Sequence, residues 1–381
     1  METPAETLEA GFDVIQSIRK HAGQLKPLLP ERGLICMGDY SAKILLKEPL
    51  IEKTSDILPI FIQKINEENT KLTRSIAVAH DLLLVESTVD THFWFNVDAY
   101  LKKDEKYANR LKGLANRLHE TFLLAPLWEG LGSALLPLLI SLFKAQNANA
   151  VALAVLPSKA QPADAHFNAL ASIGKCAAND SAVVVLVGRD ALEDFVGVDR
   201  NGSRMKGNRI INYILEMMLA KETVTQELNE LSRAFNVKLY TAISVTGASF
   251  KVYGSFESML DAASLNPFLP FNLASASVLY VLVRLPLSLK DKLSRGKIEL
   301  ATAKWSKVIA NVKSIYVSEP IYVDDSSDRV DAVVFAGGFD TTDLTAFLQK
   351  KAGKIKTEAV KKGLLQEKEW EGIVRSLAVN P

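Results

Sequence analysis

Between residues 120 and 188 the chain alternates short apolar runs with longer helix-forming stretches. ETFLLAPL (120–127), NAVALAVLP (149–157) and SAVVVLVG (181–188) are separated by GSALLPLLISLFKA (132–145) and DAHFNALASIGKC (164–176). Strands that are apolar along their whole length belong to a parallel sheet covered on both faces, because helical crossovers lay helices over each side. GLICM (33–37) and DLLLVES (81–87) read as further strands. THFWFNV (91–97) is a strand candidate through its aromatic content, and 102–118 is a polar helix. This half alone predicts an α/β domain.

The texture changes after residue 203. The stretch 204–235 reads as mostly one long helix, with Ile211, Ile214, Leu215, Met218 and Leu219 on one stripe. SVLYVLVRLP (277–286), KSIYVSEPIYV (313–323) and DAVVFAGGF (331–339) are β-branched and aromatic, so strands are expected, with a helix over 297–312 between the first two. VDDSSDR (323–329) reads as a tight turn closing a hairpin. It lacks the glycine and distal glutamate of a calcium loop. Residues 1–30 form an amphipathic lead-in, with Leu8, Phe12, Ile15 and Ile18 at helical spacing before Pro27 and Pro30. The last 40 residues read as a solvated basic helix carrying Lys350, Lys351, Lys354, Lys356, Lys361 and Lys362.

Charge and cysteine content exclude several classes. With 45 Lys+Arg against 44 Asp+Glu among 381 residues, the net charge is +1, so nucleic acid is not an expected partner. Two cysteines, Cys36 and Cys176, supply neither a disulfide framework nor a cysteine metal cluster. His80, His92, His119 and His166 show no ligand spacing. The longest apolar run, 131–143, contains Pro137 and falls short of the roughly 20 residues that span a bilayer. No basic segment precedes an apolar one at the start, so a soluble, cytoplasmic protein is expected.

The chemistry concentrates in HETFLLAPLWEGLGSALLPLL (119–139). A strand entering a glycine-containing turn and then a helix can hold phosphate on helix-terminal amides. Here the turn offers Gly130, Gly132 and Ser133, while Trp128 and Glu129 place bulk and negative charge on the approach. GLGSAL also lacks the third glycine of a dinucleotide fingerprint. The order of elements around this turn resembles the FtsZ/tubulin superfamily, whose loop G-G-G-T-G-T/S-G occupies the same place and precedes a proline-containing helix. Against that pattern, residues 128–134 keep three of seven positions, and Pro137 matches. The superfamily's first glycine-rich turn falls at 37–43 and keeps only Gly38. PSKAQPADAHF (157–167) stands at the sugar-binding loop without its usual residues. Asn208 lies near the position that faces the guanine base in relatives. Thr225–Glu230 stands where FtsZ carries N-x-D-x-x-D, with Glu227 and Glu230 at matching spacing. SLNPFLPFNLASASVLYVLVRLP and VDAVVFAGGFD follow the order of the second domain, so the resemblance covers about residues 31–340.

The resemblance implies an α/β chain with a parallel-sheet, Rossmann-like N-terminal domain, a long central helix and a smaller α+β C-terminal domain. Its divisions would be an N-terminal extension (1–30), a nucleotide-binding-like domain (31–203), the central helix (204–222), an activation-type domain (223–340) and the basic tail (341–381). It also implies a cytoskeletal or cell-division protein: a filament subunit, cap or regulator with weak or lost GTP binding. The alternative is a divergent GTPase that hydrolyses GTP on self-assembly. Gly38, Gly130, Gly132, Ser133 and Asn208 would be the remnant nucleotide pocket, with magnesium only if GTP binds. Glu227 and Glu230 would act on a neighbouring subunit's nucleotide. Expected partners are a second copy or another FtsZ/tubulin-like subunit, with membrane contact only indirect or through the basic tail. Read without the resemblance, the two glycines are turn residues, the two glutamates a solvated helix face, and the chain an α/β protein with some other small-molecule crevice.

Overall fold

A computed structural model describes residues 32–46, 56–65, 80–180, 182–309 and 312–378. The lead-in expected over 1–30 lies outside them. The first half forms β1 (Arg32–Met37), α1 (Gly38–Leu46), β2 (Ile57–Lys64), β3 (Asp81–Val85), α2 (Trp94–Lys103), α3 (Glu105–Arg117), β4 (Glu120–Pro126), α4 (Gly130–Ala145), β5 (Asn149–Leu156), α5 (Ala163–Ala177), β6 (Val184–Gly188) and α6 (Arg189–Asp194). The second half contains α7 (Asn208–Leu219), α8 (Val224–Phe235), β7 (Leu239–Ser249), α9 (Phe250–Tyr253), α10 (Phe256–Ser264), β8 (Val278–Pro286), α11 (Arg295–Ile309), β9 (Ser314–Val317), β10 (Ile321–Val323), β11 (Arg329–Gly337), α12 (Thr342–Lys361) and α13 (Glu367–Ala378).

Among the described residues, all strands join one 11-stranded sheet in the order β10-β8-β11-β7-β6-β5-β4-β1-β2-β3, with β9 also on β8. From β3 to β7 every pairing is parallel, whereas β11 runs antiparallel to both β7 and β8. The expected α/β class, with a mostly parallel sheet, is therefore the observed one. Two apolar clusters cover the two faces of the parallel part, and a third lies under α10 and α11. Helix α7 is apolar nearly all round: Ile210, Ile211, Ile214, Leu215, Met217 and Met218 are all buried. That pattern suits a helix enclosed by protein on every side. Its cluster takes Phe61, Leu153 and Val185 from the parallel strands, and Tyr280 and Phe335 from the second half.

Four expectations need correction. Residues 94–103 are helical rather than extended, because Trp94, Val97 and Leu101 form one buried stripe at helical spacing. The 204–235 stretch is two helices. Gly207 at φ +51° sets the start of α7, and the turn at 220–223 separates α7 from α8. The 323–329 turn closes no hairpin: β10 and β11 lie on opposite sides of β8, β10 parallel to it and β11 antiparallel. Nor is the basic tail simply solvated. Helices α12 and α13 pack on α5, where the Trp370 ring stacks on Phe167 at 4.9 Å and Ile373 lies against Gly174.

A buried charge network fastens α7 to the second half of the sheet. Asp331 on β11 is 1% exposed and accepts from Arg284 Nε (2.9 Å), Arg200 Nη1 (3.3 Å) and the Gly247 amide (2.7 Å). Arg284 also donates to Glu216 on α7 at 2.7 Å, and Arg200 to Asp325 at 2.6 Å. At the other end of the sheet, the Arg32 guanidinium donates to the carbonyls of Leu219 (3.1 Å) and Lys221 (3.3 Å), capping the C-terminus of α7.

Candidate functional site

The carboxyl ends of β1 and β4 deliver the chain into the N-termini of α1 and α4, and between them lies a cleft of about 330 Å³ lined by Gly38, Asp39, Trp128 and Glu129 among others. Helix N-termini favour anions through their unpaired amides and dipole. This cleft already contains two carboxylates, Asp39 and Glu129, with Lys64 also on its lining. The Glu129 carboxylate stands 3.0 Å from where a Cβ on Gly38 would sit, and Gly38 takes φ +79° at the strand-to-helix turn. Burial raises the affinity of Glu129 for its proton, Asp39 adds repulsion, and Trp128 and Lys43 only partly oppose them. Gln63 Nε2 donates to Asp39 at 3.3 Å.

Glu129 gives a pH prediction. Its folded pKa is raised, so its contribution to stability is full below the ordinary carboxylate range and is lost as pH rises through the raised value. Glu129→Gln is therefore expected to unfold at higher denaturant concentration than the wild type near neutral pH. That advantage should vanish on acidification below about pH 4, as urea titrations across pH would record.

Beside the carboxylates, three side chains form a compact stack. Tyr40 meets Trp128 edge-on at 4.6 Å, and the Arg189 guanidinium lies 5.4 Å from the Trp128 ring centre and 5.9 Å from that of Tyr40. Tyr40 donates its hydroxyl to Asn208 Oδ1 at 2.8 Å, so the first residue of α7 is tied to α1. Burial pushes the Tyr40 phenol up to about 12, partly offset by Arg189 and reinforced by Glu193.

The glycines and serines of the turn are committed to the protein's own backbone. The Gly130 amide donates to Thr91 O at 2.9 Å, and a Cβ there would lie 2.5 Å from the Phe93 carbonyl carbon. A Cβ on Gly132 would lie 2.4 Å from Pro126 O. Ser133 donates to Leu127 O at 3.0 Å and Ser41 to Leu124 O at 3.2 Å, both buried. The loop over Gly130 is pinned by α5: Asn168 accepts from the Trp94 amide (3.0 Å) and donates to His92 O (2.8 Å), while His92 Nε2 meets Asp164 at 2.7 Å. Sequence reasoning named Gly38, Gly130, Gly132, Ser133 and Asn208. It missed Tyr40, Arg189 and Asn168, whose roles depend on contacts between elements far apart in the chain.

Glu227 and Glu230 lie on α8, beyond the C-terminus of α7, whereas Asn208 stands at its N-terminus. Twelve residues of helix separate these ends by about 18 Å. Glu227 accepts from Tyr280, Ser318 and Thr223 hydroxyls, each at 2.7 Å, with Lys221 Nζ at 3.3 Å. Burial alone would raise its pKa, but these donors outweigh it and hold the carboxyl below the usual range. Glu230 is exposed and accepts from Gln226 at 2.8 Å. Glu227→Ala is expected to cost about 1–3 kcal/mol by orphaning buried hydroxyls, and Glu230→Ala within about 0.5 kcal/mol of zero; chemical denaturation distinguishes them. Among the described residues, no group of three or more His, Cys, Asp or Glu could hold a metal ion. No helix there is long and apolar enough to cross a membrane.

No family model and no curated protein matches the chain in sequence. Solved structures do match it in shape. CetZ from Methanosaeta thermophila superposes with a TM-score of 0.61 at 15% identity, covering 90% of this chain and 96% of that one. CetZ2 from Haloferax volcanii, in a GTPγS-bound protofilament, gives 0.61 at 17%, covering 86% and 99%. The empty FtsZ dimer of M. jannaschii gives 0.60 at 13%, covering 90% and 94%. The chain therefore has the FtsZ/tubulin-type fold across most of its length.

Proposed function

We propose that this chain is a filament subunit, cap or regulator of the FtsZ/tubulin type, working by assembly, with GTP binding weak or lost. What carries the reading is the lining of the cleft: the Glu129 carboxylate against Gly38, beside the Tyr40–Trp128–Arg189 stack. A nucleoside triphosphate would place its phosphates against two carboxylates, at a helix start whose Gly130 amide is already bonded to Thr91. Those residues do not suit that ligand's phosphates.

In this reading 31–203 is the nucleotide-binding-like unit, 223–340 the activation-type unit, and the helix between them spaces two ends of the molecule. One end carries the carboxylate-lined cleft and the other Glu227 and Glu230. The similar CetZ2 protofilament and FtsZ dimer support association with a second copy or a related subunit, and the exposed Glu230 end is the contact assigned to it in this proposal. The anchored Glu227 gives α8 a fixed pose there.

Sedimentation with and without GTP and magnesium tests the proposal. Pelleting or oligomer formation independent of nucleotide, weakened by Glu230→Ala, is the expected result. Assembly that appears only with GTP, accompanied by phosphate release, would replace it with the divergent GTPase reading.

A further inference from the structure

A second, larger cavity of about 490 Å³ opens at the carboxyl ends of β5 and β6 and shares no lining residue with the cleft above. Its floor is Leu156, Gly188 and Leu269, and its walls come from Phe195 after α6 and from Phe347 and Leu348 on α12. The size falls within the range of roughly 300–1,000 Å³ typical of small-molecule sites. The walls are fixed by contacts outside the cavity. The Gly188 amide donates to Phe268 O at 2.6 Å and the Phe268 amide to Ala242 O at 2.8 Å, so the 265–270 loop is tied to two strands. Helix α12 is held separately by its packing on α5. The space is therefore preformed, and Leu265 at its rim is left 80% exposed.

Its charge is one-sided. Asp190, Asp194 and Asp343 line the cavity with a single cation, Lys159. The Lys159 backbone amide donates to Asp190 Oδ2 at 2.8 Å, fixing that carboxylate at the end of β6. Lys351, on α12, is engaged with the Lys159 carbonyl at 3.1 Å. An apolar chamber with a carboxylate rim complements one ligand chemistry. We infer that this cavity binds a small organic cation: an apolar or aromatic body seated between α6 and α12, with an ammonium group directed to the aspartates.

The test uses a dansyl fluorophore on a short alkyl chain ending in a primary amine, a neutral amide or a carboxylate, titrated into the full chain. The amine probe should bind saturably and at least about tenfold more tightly than the carboxylate probe. Asp194→Asn with Asp343→Asn, both at exposed positions, should weaken the amine probe about tenfold and narrow that gap. Leu344 also lines the cavity from α12, and Leu344→Trp should fill the chamber and abolish binding; should that variant misfold by circular dichroism, the paired asparagine variant carries the test. Equal affinity for the amine and carboxylate probes, an amine affinity untouched by the asparagines, or no saturable binding would each overturn the inference.

Discussion

Replacing Asp331 with alanine is expected to cost about 3–5 kcal/mol of folding stability, the range for removing one partner of a buried ion pair. The carboxylate is the common acceptor for Arg284, Arg200 and the Gly247 amide, and its removal leaves the nearly buried Arg284 without its main counter-charge. Burial opposes the charge on Arg284, but Asp331, Tyr213 and Glu216 together outweigh it and raise its pKa. Because Glu216 belongs to α7, the loss should loosen that helix from the second half of the sheet. A urea midpoint shift with little change in slope is the expected readout. Alanine at Asp98, whose pair with Lys102 is an i,i+4 contact near the surface, should cost no more than about 1 kcal/mol. A similarly small loss for Asp331→Ala would show that the network is not what joins the two halves.

The second large effect is a gain. Trp128→Ala combined with Glu129→Gly should open the cleft at the start of α4 and remove one of its two anions. A unit charge 4 Å from another is worth about 4 kcal/mol at an effective dielectric near 20. The double variant is therefore expected to bind GTP saturably in calorimetry at concentrations below about 1 mM, where the wild type gives no saturable heat. Glu129→Gly alone should recover less, since the Trp128 ring and its Tyr40 and Arg189 neighbours stay in place. Unchanged affinity in the double variant would mean that the Gly130–Thr91 contact, rather than the two side chains, closes the site.

The parallel half of the fold was legible because its signal is local. β4, β5 and β6 are continuous apolar runs, and α4 and α5 separate them at regular intervals. Errors arose where local composition and long-range packing disagree. His92–Phe95 is aromatic enough to suggest a strand, yet Asn168, 74 positions away from Trp94, caps the helix that forms there. The 323–329 turn has hairpin chemistry, but β8 lies between the strands it connects. At the cleft, Trp128 and Glu129 could be read from the turn itself. The stack around Trp128 could not, since it needs Tyr40 from α1 and Arg189 from α6 on the same spot. Glu227 was legible as a spaced acidic residue but not as an anchored one, because Tyr280 and Ser318 reach it from the far half of the sheet.

In the proposed reading, the carboxylates and aromatic side chains lining the cleft at the start of α4 disfavour a nucleotide there. Calorimetric titration of GTP into the wild-type protein, with and without magnesium, tests it most directly. No saturable heat is expected up to roughly millimolar GTP, a concentration at which a complex of even about −4 kcal/mol would be half formed. Micromolar, magnesium-dependent binding by the unaltered chain would contradict it.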